Sequence, residues 1–366
     1  MSEDQMVDVM GEHAKAAKAT FKRLDSEKVR GFIESQADVV GPVSIGEIRF
    51  PTEGAGSSNG IGLFDAVIDR GSGPRSEALV VRYSPGPTLL TQKSYEDEFK
   101  TLLAVRAAGI PSPRAFWLDP DGGQLGAQGY IMERIDGEMP TASLYSTGPF
   151  SRVDATTRNE MLLGAAGFHG RLRRSAIGAD QVPHLAQRGP EADSMIAREL
   201  GWWMEEARRA SHGAADKLAY VEGLYHWLIL NQPTDCYAPV LVHGDAQFAN
   251  LMYRDGRIAA ALDWELSFLG HNESDLALLY FIVESQKVFD SPAEGTPTEE
   301  EFVARFEQES GSPVCHYPYF RLFCMMKVQS IGLMNMKTMP GADMVWGMFK
   351  SFTEAAWEKA RGAPIA

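Results

Sequence analysis

Cysteine is scarce in this chain: Cys236, Cys315 and Cys324 are the only three in 366 residues. They show no C-x-x-C pair and are too few for a disulfide scaffold, so they are expected to be reduced thiols of a cytoplasmic protein. Basic residues are the minority charge: 35 Lys and Arg against 49 Asp and Glu leave a net charge of −14. Nucleic-acid binding, which needs a basic face, is excluded on that ground. The acidity keeps the protein soluble and could also draw in a cationic substrate. No apolar run reaches about 18 residues, so no membrane-spanning helix is expected. The start, Met1-Ser2-Glu3-Asp4, is acidic and leads into no apolar stretch, so no signal peptide is expected. Histidine is sparse, and neither H-x-H nor H-E-x-x-H occurs, which disfavours a metal-dependent hydrolase. There is no internal repeat.

What is present is a chain long enough for two lobes. Residues 1–38 read as helical, with Val29, Phe32 and Ile33 on one face before the stop at Gly41-Pro42. A strand-rich stretch follows: Val43 to Phe50, Leu63 to Ile68 and Ala78 to Tyr83, then a helix from Ser94 to Ala108, then strands at Arg114 to Leu118 and Gly129 to Arg134. Beyond Gly137 the pattern is mainly helical, with helices expected over 159–173, 194–209 and 216–230, from Asp275, and near Phe302, Arg321 and Val345. One interruption stands out. Val240-Leu241-Val242 is a short β-type run, and Leu251 to Tyr253 with Ile258 to Leu262 reads as a hairpin turning at Asp255-Gly256. The expected divisions are 1–38, a sheet part over 39–132 and a helical part over 133–366.

The interruption carries chemistry. The β-run ends on His243-Gly244-Asp245, and Asn250 follows five residues later, the D-x-x-x-x-N spacing of a phosphotransfer loop. Asp245 is the candidate base for a substrate hydroxyl. Asn250 and Asp263, the latter at the hairpin's end, are candidate Mg²⁺ ligands, since hard oxygens suit that ion. His243 is either a general base or, as preferred here, a brace whose ring hydrogen-bonds the loop's backbone, and Gly244 is expected to permit the tight turn. Glu265 is either a neighbour of the metal site or an ion-pair partner. Asp275 is either a helix N-cap or a clamp on the loop.

In the sheet part, Gly54 to Gly62 is either a loop laying N–H groups on phosphates or a plain hairpin turn; it has no Walker lysine. The third strand ends on Arg82, where kinases usually carry lysine, and the next helix offers Glu96 and Glu98, of which Glu98 is the expected partner. Residues Met132, Glu133 and Arg134 join the two parts. Their backbone could face an adenine edge with Met132 on the ring, or Met132 could simply fill the core.

These residues together resemble the aminoglycoside phosphotransferase/choline kinase group, and within it the kinase-like domain of some acyl-CoA dehydrogenase fusion proteins. The likeness runs over about residues 25–285. Its carriers are Gly56-Ser57-Ser58-Asn59, Val81-Arg82, Glu98, Gly109 to Pro113, Met132 to Gly137, Arg198-Glu199-Leu200, Leu241 to Asn250, Asp263-Trp264-Glu265-Leu266 and Asp275-Leu276-Ala277. Two places depart from the family pattern: Gly270-His271-Asn272 stands for Gly-Asp-Pro, and Arg198-Glu199 for Arg-Gln. The resemblance implies an α+β, bilobal protein-kinase-like fold with an antiparallel-sheet N-lobe and a mainly helical C-lobe. It implies ATP or GTP as donor, Mg, Ser57, Ser58, Asn59, Arg82 and Glu98 around the nucleotide, and a small-molecule hydroxyl as acceptor. Trp202, Trp203, Tyr280 and Glu284 are candidates for the acceptor pocket. A nucleotide-binding module with little catalysis is the competing expectation, because of Arg82.

Overall fold

The computed structural model describes residues 23–51, 59–86, 90, 94–141, 143–211, 213–289, 293–336 and 341–362. The first helix, α1 (Ser26–Glu34), is capped by the Asp25 carboxylate, which accepts the Glu27 N–H, and buries Val29, Phe32 and Ile33. It lies against a five-stranded antiparallel sheet of order β1-β2-β3-β5-β4: β1 (Ser44–Ile45), β2 (Gly60–Asp69), β3 (Pro74–Tyr83), β4 (Ala115–Asp119) and β5 (Gly129–Glu133). The strand expected over Val43 to Phe50 is only two residues long, with one further bridge from Arg49 to Leu63. Its sequence is broken by Gly46, which has no side chain to pack on a neighbour.

Strand β3 changes character along its length. Its first half is exposed, and Leu79 to Tyr83 are buried because helix α2 (Tyr95–Ala107) covers that end. Helix α2 starts where Ser94 Oγ accepts the Asp97 N–H, and three acidic residues in its first turn suit the helix dipole.

The second half is helical, as its periodicity required. Helices α3 (Ala155–Arg174), α4 (Met195–Ala210) and α5 (Ala215–Leu230) precede the short strand β6 (Val240–Val242). Then come the hairpin β7 (Leu251–Arg254) and β8 (Arg257–Ala261), and β9 (Phe268–Gly270), which pairs back onto β6. Helices α6 (Glu273–Phe289), α7 (Glu299–Ser310), α8 (Tyr317–Met334) and α9 (Ala342–Gly362) complete the described chain. Helix α8 is buried on nearly every face and packs against α4, α5, α6 and α9. A Lys in such a helix, Lys327, therefore stands out.

The thiol expectation needs a correction. Cys236 and Cys315 are joined by a disulfide that links the loop before β6 to the loop before α8. They stand 79 residues apart, a spacing that carries no local signal. Cys324 is a free, buried thiol. Among the described residues no helix is long and apolar enough to cross a membrane.

Candidate active site

Strand β6 delivers the chain to a turn only glycine can make. Gly244 has φ +82°, and a Cβ there would lie 1.9 Å from the Leu266 carbonyl oxygen. The turn is fixed from below by Asp275, in the first turn of α6. Its carboxylate accepts the His243 N–H at 2.9 Å and the Gly244 N–H at 3.0 Å, and meets His169 Nδ1 at 3.1 Å. Of the two sequence readings for Asp275, the geometry is that of the clamp. These hydrogen bonds and the neighbouring histidines hold its pKa below the ordinary value in spite of burial.

His243 is buried and neutral. Its Nδ1 accepts the Asp245 N–H at 3.3 Å, so Nε2 carries the proton and donates to the Leu262 carbonyl at 2.9 Å. Burial pushes its pKa down to about 4. The ring spans the loop and the hairpin's end and joins the two.

Asp245 is half-buried next to Asn250. The Asn250 amide donates to the Asp245 carbonyl at 2.9 Å and to Oδ2 at 2.8 Å; Gln247 donates to Oδ1 at 2.6 Å. Both donor directions of Asn250 are therefore spent on Asp245, and its carbonyl oxygen is the atom turned elsewhere. Burial and the negative charge of Asp263 raise the Asp245 pKa, while the two amides and Lys327 lower it.

The hairpin ends at Asp263, whose backbone is left-handed (φ 63°). Its carboxylate bonds directly to Arg82 Nη2. Arg82 also donates from Nε to Glu98 at 2.9 Å and reaches Glu265 at 3.4 Å. The Asn59 amide donates to Glu265 at 2.8 Å, and Tyr95 donates to Asn59 at 2.7 Å. Arg82, Glu98 and Asn59 are all buried. Glu96, the alternative to Glu98, instead pairs with Lys100 at the surface. Glu265 is thus an ion-pair partner and, through Arg82, a neighbour of Asp263.

Ser57 and Ser58 lie outside the described residues. The segment from Met132 to Arg134 requires a correction. The Glu133 N–H bonds to the Arg114 carbonyl and the Arg134 N–H to the Ala78 carbonyl, both at 2.9 Å. The sheet has already taken the donors expected to face an adenine edge. Arg134 reaches Asp65 at 2.6 Å, towards β2. Met132 is buried on β5 opposite Val80.

The proposed acceptor residues do not converge. Glu284 bonds to Arg321 at 2.7 Å and Tyr280 lies under the same guanidinium, so these two form a separate cluster. Trp203 is core, its indole N–H bonded to Glu199 at 2.8 Å. Trp202 lines a cavity of about 830 Å³ with Thr101, His184, Arg188, Glu98 and Glu265, beside the Arg82 cluster.

Two cations escaped sequence reasoning. Arg188 stacks on Trp202 and donates to the Ser267 carbonyl at 3.1 Å and to Glu199 at 3.0 Å, fixing the strand after Asp263. Lys327 donates to the Gly244 carbonyl at 2.7 Å, between the rings of Trp203 and Phe268. Its signal was readable: a single lysine inside the apolar run Leu322 to Val328.

A model of the phosphotransferase enzyme family matches residues 63–313. Acyl-CoA dehydrogenase family member 10 of Mus musculus is 28% identical over 305 residues, 77% of this chain and 27% of that protein. Acyl-CoA dehydrogenase family member 11 of Gallus gallus is 29% identical over 205 residues, 55% of this chain and 25% of that protein. The chain thus matches only about a quarter of the length of these relatives. Among solved structures, a Ralstonia eutropha protein described as of the aminoglycoside phosphotransferase type superimposes with a TM-score of 0.67 at 21% identity, covering 93% of this chain and all of that one. Choline kinase of Streptococcus pneumoniae gives 0.52 at 14% identity, covering 92% and 99%. An amicoumacin kinase bound to AMP-PNP, Ca²⁺ and its substrate gives 0.55 at 13%, covering 96% and 97%. At these identities the likeness is one of fold, and the fold is kinase-like.

Proposed function

The chain belongs to the phosphotransferase enzyme family, and we propose that it transfers the γ-phosphate of ATP or GTP to a hydroxyl of a small molecule, in the cytoplasm where that donor is available. The observation that carries this reading is the pairing of Asp245 with Asn250 on a loop clamped by Asp275, beside Asp263. Asp245 would accept the hydroxyl proton of the acceptor. Burial and the charge of Asp263 raise its pKa, which strengthens it as a proton acceptor, and its two amide partners hold its orientation. The Asn250 carbonyl oxygen and the Asp263 carboxylate form a hard-oxygen set that fits Mg²⁺. Bound there, the ion would neutralise charge on the transferring phosphates. Arg82, held by Glu98, would face the phosphates with Asn59, Ser57 and Ser58; an adenine edge would take its backbone donor from Ile135 onward, with Met132, Glu133 and Arg134 behind it.

The test is a transfer screen against alcohols, amino alcohols and sugars, read by mass spectrometry. Asp245→Ala should lose transfer by 10²–10⁴-fold and keep nucleotide binding. Transfer at the parent's rate would overturn the assignment of the base.

A second reading, a nucleotide-binding module with weak catalysis, is favoured by one observation: Arg82 bonds directly to Asp263. Titration calorimetry with Mg-ATP beside the same screen separates the two. Binding without transfer across the panel supports the module.

A further inference from the structure

Away from the nucleotide cleft, three metal-ligating side chains meet at one point. The sulfurs of Cys236 and Cys315 and a ring nitrogen of His316 all lie within 4.8 Å of one another. His316 holds a left-handed backbone (φ 43°), uncommon for a residue with a side chain. A carboxylate braces the imidazole: Asp235 bonds to His316 Nε2 at 2.5 Å. The set therefore comes from two dipeptides, Asp235-Cys236 and Cys315-His316, on the two loops that the disulfide joins.

We infer that the reduced form of this cluster is a Zn²⁺ site, and that the disulfide is its oxidised, metal-free state. Two thiolates and an imidazole are the ligands zinc favours, and a carboxylate holding the imidazole is the usual partner of a metal-bound histidine. The reach is right. Tetrahedral zinc with bonds of about 2.0–2.3 Å holds its ligand atoms roughly 3.3–3.8 Å apart. The imidazole needs to move by at most about an ångström, and the two sulfurs need to separate. The Cα atoms are 6.0 Å apart, and both cysteines lie in loops, so the backbone can stay close to where it is. The third cysteine offers no competition. Cys324 is buried in α8, and burial raises its pKa to about 11, which keeps it a thiol.

The chemistry balances. A dithiol reductant gives two electrons and two protons to the Cys236–Cys315 bond and is itself oxidised to a disulfide. Zinc then replaces one proton on each sulfur, releasing two protons. In a reducing compartment the dithiol is the prevailing form, so metal binding and cytoplasmic residence go together. The site has a reason to matter to the rest of the molecule. The Cys315 N–H bonds to Glu273 at 3.0 Å, and Tyr237 bonds to the same carboxylate at 2.7 Å, two residues before Asp275. Zinc would brace the loop that leads into β6 against the one that leads into α8.

The experiment uses the full chain, reduced with a phosphine, stripped with a chelator and passed into metal-free buffer. One zinc per chain should bind, and Co²⁺ in its place should give a thiolate charge-transfer band in the near ultraviolet with tetrahedral bands in the visible. In the wild-type protein, zinc should slow alkylation of Cys236 and Cys315, read peptide by peptide. This measurement needs no variant to fold. Cys236→Ser should abolish the band, and Asp235→Asn should weaken zinc binding about 10–100-fold. Equal zinc uptake by the oxidised protein or by Cys236→Ser would reveal an adventitious surface ion and overturn the site. Absence of uptake on reduction, or alkylation unchanged by zinc, would overturn it as well.

Discussion

The two ends of the candidate active site are held by opposite means. The base loop is held by hydrogen bonds to backbone: Asp275 takes two N–H groups, His243 joins Leu262, and Lys327 caps the Gly244 carbonyl. The metal end is held mainly by charge: the Arg82 guanidinium meets Asp263, Glu98 and Glu265, and the Asn59 amide adds one neutral hydrogen bond to Glu265. The first arrangement is satisfied as it stands. The second gathers three carboxylates about the Arg82 guanidinium in a largely buried place. A kinase has reason for both, since its base must be positioned before substrate binds, while its metal comes and goes with the nucleotide.

The sharpest way to break the comparison is at Asp263. Asp263→Asn keeps the shape and removes the charge a divalent ion would meet. Transfer should fall by about three orders of magnitude, since metal stabilisation of transition-state charge is worth several kcal/mol. Mn²⁺ binding, followed by electron paramagnetic resonance, should weaken in step. Unchanged Mn²⁺ affinity would remove Asp263 from the metal site.

The base loop should respond in stability. Asp275→Ala leaves two buried N–H groups and His169 without their carboxylate, a loss of about 3–5 kcal/mol for a broken buried network. Urea unfolding measures it. The depressed pKa of Asp275 sets a sign: its contribution is present above the unfolded value of 3.8 and is lost as pH falls through the lower folded value. His243 acts in the same direction. Its folded pKa of about 4 lies below the unfolded 6.5, so stability falls as pH drops through that interval.

Glu98 should behave in the reverse sense. Arg82 is held firmly charged, yet burial raises Glu98 to about 7. Burial is the larger influence on Glu98, and the negative charges of Asp263 and Glu265 add to it, while Arg82 pulls the other way. A raised carboxyl stabilises the fold below the unfolded value of 4.5, and that contribution is lost as pH rises through about 7. Glu98→Gln should flatten the loss between about pH 4.5 and 7, by roughly 1–3 kcal/mol. A variant as steep as the parent would show that Glu98 is not the group that titrates.

Much of this was legible in the chain. Strand and helix positions followed from period and caps, as Ser94 and Ser194 show at the starts of α2 and α4. The segment from His243 to Asn250 and the hairpin end near Asp263, singled out by their spacing, do lie side by side, joined by the His243 ring at Leu262. What escaped reading was long-range. The pairing of Cys236 with Cys315 spans 79 residues. The loss of the Glu133 and Arg134 donors depends on strands β3 and β4 at their sides. Tyr280 and Glu284 turn to Arg321 on another helix, which no pattern within α6 could signal.

Lys327 offers the smallest and most selective test. Its ammonium touches the base loop at a backbone atom, so a substitution reaches Asp245 without altering a substrate contact. Lys327→Met matches the stem's volume and leaves the Gly244 carbonyl buried without its donor. A buried acceptor without a partner costs about 1–3 kcal/mol. Part of that should appear as a drop in kcat of about tenfold, worth about 1.4 kcal/mol, with nucleotide affinity unchanged. Lys327→Arg keeps the charge but brings a planar fork into a slot between Trp203 and Phe268 that fits a narrow ammonium. It should recover only part of the rate. If both variants shifted nucleotide binding instead of kcat, the lysine would belong to the metal end, and the division between the two ends would fail.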